Sequence, residues 1–135
     1  MRTLGLDLGT KRVGYAVSDE MGILASGRGF IERFSDNELI TKIKEIVDID
    51  KIENIVIGMP FNMDGSSGPR VEDTVHLASL IKDKIGIEPI LWDERLSTKE
   101  AEHALLLADV SRKKRKQVVD KLAAQLILQG YLDSV

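Results

Sequence analysis

Cysteine is absent from this 135-residue chain, which removes disulfides, thiolate metal sites and a cysteine nucleophile from consideration. Histidine is scarce. His76 and His103 stand 27 positions apart without ligand-like spacing, so both read as helix-surface or half-buried residues and no zinc site is expected. Aromatics amount to 4%, with no stacking array of the kind single-strand binders use. No apolar run approaches the roughly 18 residues of a membrane span. Charge at Arg2, Asp7 and Lys11 interrupts the N-terminus before a signal-peptide core could form. A cytoplasmic protein with no membrane partner is the expectation.

Hydrophobic residues make up 43% and charged residues 30%, a globular balance. The length suits a single domain over residues 1–135. Net charge is −3, which argues against a protein that coats nucleic acid indiscriminately. Its distribution is uneven, because residues 112–121 hold six Lys/Arg and one Asp. A basic stretch on an otherwise acidic chain suggests a localised polyanion contact.

Residues 3–8, TLGLDL, alternate strictly and predict a strand, with Leu4, Leu6 and Leu8 on one face and Gly5 and Asp7 on the other. Residues 13–18 alternate again, and a third strand is expected from Ile23 to about Ile31 after a turn at residues 19–22. Helical spacing then predicts an amphipathic helix over 36–49. Ile55-Val56-Ile57 suits a strand buried on both faces. A loop at 58–70 leads into a second helix that starts at Pro69 and ends at Gly86. A fifth strand follows at Pro89–Trp92, a third helix at about 98–108 opened by Ser97 and Glu100, and a last helix at roughly 114–130. The expected class is α/β: a five-stranded mixed sheet, an antiparallel meander of three strands plus two parallel strands, with helices on both faces. Right-handed crossovers would set strands four and five beside strand one, which becomes central, with Asp7 near its C-terminal end.

Three carboxylates stand out by position. Asp7 ends the first strand, Glu94 follows the fifth, and Asp120 lies one to two turns inside the last helix. Small residues at Ala123 and Ala124 would let that helix approach the sheet closely. Acids without His or Cys suit a hard, oxygen-preferring cation such as Mg²⁺, with Mn²⁺ as an alternative. Such ions activate water and stabilise the leaving oxygen of a phosphodiester. Cations for the nucleic-acid backbone are at hand in Lys11 and Arg12, in Arg95, and in Arg112, Lys113, Lys114, Arg115 and Lys116. In the 58–70 loop, Asn62, Ser66 and Arg70 could hydrogen-bond the same backbone.

The segments GLDLGTKRVGYAVSD (5–19), GMPFNMDGSSGPR (58–70), WDERLST (92–98) and VVDKLAAQLIL (118–128) resemble the YqgF family in order and across essentially the whole chain. Its members are also described as Holliday-junction-resolvase-like proteins or pre-16S ribosomal RNA nucleases. The resemblance implies a ribonuclease H-like fold and divalent-metal nuclease chemistry, with Asp7, Glu94 and Asp120 on the family's acidic positions. It further implies maturation of the 5′ end of small-subunit ribosomal RNA. The partners expected are an rRNA precursor, within ribosomal particles or free, or branched DNA. Two positions differ from the wider ribonuclease H-like pattern. Gly58-Met59-Pro60 stands where many relatives end the fourth strand with an acid, and Ala123 stands where resolvases tend to carry a second acid.

Two other readings belong beside this one. GLDLGT (5–10) also resembles the first phosphate motif of actin-like ATPases and sugar kinases, which need two such lobes, and only one is present here. A non-catalytic nucleic-acid-binding module would keep the fold without turnover.

Overall fold

Strict alternation at the N-terminus becomes the centre of a sheet. In the computed structural model, which describes residues 1–60, 68–93 and 112–135 and the side chains of 112–121 not at all, β1 spans Thr3–Leu8. It pairs antiparallel with β2 (Arg12–Ser18), which pairs antiparallel with β3 (Ala25–Glu32). On its other side β1 pairs parallel with β4 (Asn54–Met59), and β4 with β5 (Ile90–Asp93). The order is β3-β2-β1-β4-β5. The meander and the central β1 are as the periodicity predicts. Strand four lies beside β1, and strand five lies one place further out.

One face of the sheet carries Leu4, Leu6, Leu8, Val13, Val17, Ile31, Ile55 and Ile57. It is covered by α1 (Asp36–Ile49) through Leu39, Ile40 and Ile43, and by α2 (Pro69–Ile85) through Leu77 and Ile81. Burying this many aliphatic side chains, each worth about 1.5–3 kcal/mol, makes it the principal core. The start of α1 is fixed by Ser35, whose Oγ accepts from the Glu38 N–H. Pro69 opens α2, and Gly86 closes it at φ 88°, the left-handed turn that glycine adopts without strain. His76 sits exposed on α2, 3.3 Å from Asp36, in keeping with the surface role expected of it.

The opposite face carries the small residues of each strand and receives α3 (Arg112–Ser134). Ala16, Ala25, Ala124, Leu128 and Leu132 pack there. A Cβ on Gly5 would lie 2.7 Å from the Leu128 Cβ and 3.3 Å from the Ala124 carbonyl oxygen, so only glycine lets α3 come this close. Along the β3 edge, Gln129 accepts from the Ala25 N–H at 2.9 Å and Gln125 from the Gly27 N–H at 3.1 Å. These side chains satisfy edge donors that would otherwise invite another strand.

Two of the boundaries that differ from expectation have a visible cause. The third strand begins at Ala25, not Ile23, because the Asp19 carboxylate accepts the N–H groups of Ile23 and Leu24 at 2.7 and 3.1 Å. Those bonds hold its carboxyl below the usual carboxylate range. The last helix runs past Gly130 to Ser134. Gly130 does not terminate it but makes room for Trp92, whose Nε1 would stand 3.3 Å from a Cβ there. The helix expected at 98–108 lies outside the described residues. Among the described residues no helix is long and apolar enough to cross a membrane.

Candidate nucleic-acid-processing site

Asp7 is the next-to-last residue of β1, half-buried among otherwise buried neighbours. Its pleat parity sets it with Gly5, on the α3 face. Across the sheet it faces Gly14 of β2, and Gly14 in turn faces Phe30 of β3. Asp7, Gly14 and Phe30 therefore form one row over three strands, with no side chain at its middle position. On β4, Leu6 opposes Ile57, so the next residue, Gly58, falls beside Asp7 and again contributes only backbone.

The chain turns sharply after Leu8. The Gly9 N–H donates to the Arg12 carbonyl at 2.8 Å, and a Cβ on Gly9 would stand 2.5 Å from that oxygen. A glycine is required there, and the turn sets Lys11 in solvent and Arg12 half-buried at the start of β2. The Arg12 guanidinium lies 5.2 Å from the Phe30 ring centroid, a cation–π distance. Gly9, Thr10, Lys11, Arg12, Glu32, Arg33 and Phe34 line a cleft of about 580 Å³ against this turn.

Two arginines hold the carbonyls that follow Asp7. Arg70, in the first turn of α2, donates to the Leu8 oxygen at 2.7 Å. Arg33 donates to the Gly9 oxygen at 3.0 Å and grips Asp73 with two bonds of 2.7 and 2.6 Å. The Arg33 guanidinium holds the Asp73 carboxyl below the usual carboxylate range, and Asp73 in turn raises Arg33. The start of α2 is thus bolted to the end of β1. Nothing in the sequence marks this, since Arg33 and Asp73 lie 40 positions apart and neither belongs to a motif.

Of the residues expected to act, Asp7, Lys11 and Arg12 lie at this end of the sheet, and Arg70 reaches it through the Leu8 carbonyl. β5 brings the chain to the same end at Asp93. Glu94, Arg95, Asn62 and Ser66 lie outside the described residues. Asp120 and the basic group Arg112, Lys113, Lys114, Arg115 and Lys116 belong to α3, with side chains outside the description. Among the described residues no three carboxylates or histidines form a metal-sized group.

The sequence profile described as "RuvX: Holliday junction resolvase" matches residues 1–134. The chain belongs to this RuvX family. A relative from Geobacillus sp. (strain WCH70), named "Putative pre-16S rRNA nuclease", is 52% identical over 139 residues, covering 99% of each chain. Among solved structures, a fowlpox virus resolvase with substrate Holliday junction DNA superposes with TM-score 0.61 at 10% identity, covering 99% of this chain and 98% of that one. Thermus thermophilus RuvC with a Holliday junction substrate superposes with TM-score 0.55 at 15% identity, covering 94% and 92%. Both share the ribonuclease H-like fold with this chain, as its motifs implied.

Within this RuvX chain the two departures from the wider pattern have structural settings. Gly58 is buried in β4 opposite Trp92, and Met59 is buried at the strand's end. Ala123 is fully buried on α3, where the close approach to the sheet favours a small side chain.

Proposed function

We propose that this chain is a divalent-metal-dependent nuclease that hydrolyses phosphodiester bonds in the 5′ maturation of pre-16S ribosomal RNA, using Asp7, Glu94 and Asp120 as its acidic set. The observation that carries the reading is the setting of Asp7. It is a half-buried carboxylate at the C-terminal end of the central strand, where ligands of open α/β sheets gather.

The register of α3 supports Asp120 as its companion. Moving four residues back along the helix, about 6 Å, from Gln129 to Gln125, moves two residues forward along β3, about 6.6 Å, from Ala25 to Gly27. The same step takes Gly5, packed on Leu128 and Ala124, to Asp7. The turn of α3 that follows this step back is the one containing Asp120. Glu94 comes next in the chain after Asp93, which ends β5 at the same end of the sheet as Asp7.

A carboxylate donor set with glycine on the neighbouring strand fits a small hard cation that keeps waters and binds phosphate. Asp7, Glu94 and Asp120 would hold Mg²⁺ or Mn²⁺. The bound ion would supply Lewis acidity and lower the pKa of a water. The chain itself orients and neutralises. Lys11 and Arg12 draw the polyanion to the Asp7 rim, and the basic start of α3 extends that attraction. Arg70 and Arg33 hold the Leu8 and Gly9 carbonyls respectively, which braces the strand end that presents Asp7.

The family's description favours a second substrate, branched DNA, acted on by the same chemistry. One assay separates the two: labelled ribosomal RNA precursor and a four-way DNA junction offered in parallel, with Mg²⁺, with Mn²⁺ and with chelator. Metal-dependent cleavage at a defined position in the RNA supports the proposal. Metal-dependent cleavage of the junction alone assigns the chain to the second reading. Cleavage unaffected by chelator refutes metal dependence.

A further inference from the structure

Phe34 lies two residues beyond the end of β3 and is 76% exposed, an unusual place for a phenyl ring in a chain with only three phenylalanines. It lines the cleft of about 580 Å³ that also holds Gly9, Thr10, Lys11 and Arg12. It also lines a second cleft, of about 440 Å³, whose walls include Tyr15, Phe30 and Lys42. Phe34 therefore stands as the partition between a basic cleft and one lined by three of the chain's six aromatics. Sequence alone gave no sign of such a grouping, because these residues are scattered over twenty positions.

We infer that this pair of clefts is a subsite for an unpaired nucleotide next to the bond that is cut, with its base stacked on Phe34 and its phosphate beside Lys11. The inference rests on the nuclease reading and names a feature of the substrate, a short single-stranded segment flanking the cleavage position. Three observations support it. The basic cleft begins at Gly9, two residues along the chain from Asp7 and at the same end of the sheet. Exposed Lys11 supplies positive charge at its mouth. Every base has a π-face, so an exposed ring beside a cation binds single strands without reading sequence.

The charges are not uniform. Glu32 lines both clefts, and Arg33 is largely committed to Asp73 and Gly9. The phosphate is therefore assigned to exposed Lys11, which shares the cleft with Glu32. A carboxylate near the base is compatible with stacking, since it can accept from a base amino group.

Phe34 also occupies the position before the Ser35 N-cap, where an apolar residue often staples a helix by packing against the fourth helical position. That position is Leu39, which is 1% exposed. A ring left 76% in solvent is spent only in small part on such a contact. Variants can separate the two roles: Phe34→Leu keeps an apolar contact and removes the π-face, while Phe34→Trp keeps the π-face.

The test uses short oligonucleotides carrying 2-aminopurine in an unpaired flank, with a fully paired duplex for comparison, under chelating conditions so that binding is read without turnover. The inference expects quenching on binding by the unaltered chain. It expects roughly tenfold weaker binding of the flanked substrate for Phe34→Ala and Phe34→Leu, and recovery for Phe34→Trp. Duplex affinity and melting temperature should stay unchanged in all three. Equal affinity of Phe34→Leu and the unaltered chain for the flanked substrate would overturn the subsite and leave the nuclease reading intact. A loss of duplex and flanked binding together, tracking a lowered melting temperature, would reduce Phe34 to a staple. Failure of the unaltered chain to bind either nucleic acid, both in chelator and with Ca²⁺ added, would overturn the nuclease reading itself.

Discussion

Arg33 and Asp73 meet through two parallel bonds of 2.7 and 2.6 Å, and the same guanidinium reaches the Gly9 carbonyl. This joins the end of β3, the first turns of α2 and the turn after Asp7 in one contact. The Arg33 side chain is largely buried and that of Asp73 is 41% exposed, so solvent screens part of the attraction. A bidentate, part-exposed pair of this kind contributes about 1 kcal/mol.

Asp73→Asn should lower the melting temperature by a few degrees at neutral pH. Because pairing depresses the Asp73 carboxyl, its contribution is complete above the unfolded value near 4. It is lost as pH falls through the lower folded value. The stability difference between the unaltered chain and Asp73→Asn should therefore be constant above about pH 5 and close below about pH 4. Urea titrations across that range would check it. A difference that grew on acidification would contradict the assignment.

Gly5→Ala should destabilise the chain by about 1–3 kcal/mol, the usual cost of overpacking. The new methyl would meet Leu128 at 2.7 Å, where both partners are held by backbone. Relief requires α3 to lift from the sheet, so metal-dependent cleavage should fall further than stability alone explains. Calorimetry paired with turnover at a temperature where the variant stays folded would separate the two effects. Cleavage at the unaltered rate in a destabilised variant would show that the position of α3 does not matter to the site.

Alternation and capping chemistry carry the parts of this fold that sequence makes legible. TLGLDL assigns Leu4, Leu6 and Leu8 to the core and Gly5 and Asp7 to the other face, as found. Pro69 and Gly86 bracket α2 at the expected residues. What stays hidden is long-range or depends on a side chain serving an unexpected partner. Asp19 delays β3 by holding two amides, and Gly130 serves Trp92 and not a helix end. Arg33 finds Asp73 across 40 positions. The turn from Gly9 to Arg12 was legible because short-range spacing carries it, whereas the Phe34 partition exists only once β2, β3 and α1 are assembled.

Lys11 is exposed on the turn beside Asp7, where it would meet the nucleic-acid backbone as a point charge. Lys11→Ala should weaken binding several-fold at low salt and reduce the slope of log affinity against log salt by about one. Stability should stay within about 0.5 kcal/mol of the unaltered chain, as for most surface changes. Filter binding across a salt series would measure the slope. An unchanged slope would remove Lys11 from the interface.

The role of Asp7 is tested most directly by Asp7→Asn, which keeps the shape of the side chain and removes its charge. The measurement is the rate of Mg²⁺-dependent cleavage of labelled ribosomal RNA precursor and of a four-way junction, read beside the affinity for each. The account predicts a loss of more than about a hundredfold in cleavage, since even residues that only support metal ligands cost roughly 10–100-fold when changed. Nucleic-acid affinity and melting temperature should be largely preserved. Cleavage by Asp7→Asn at the rate of the unaltered chain would contradict the account, because the carboxylate at the end of β1 would then hold no metal that the reaction needs.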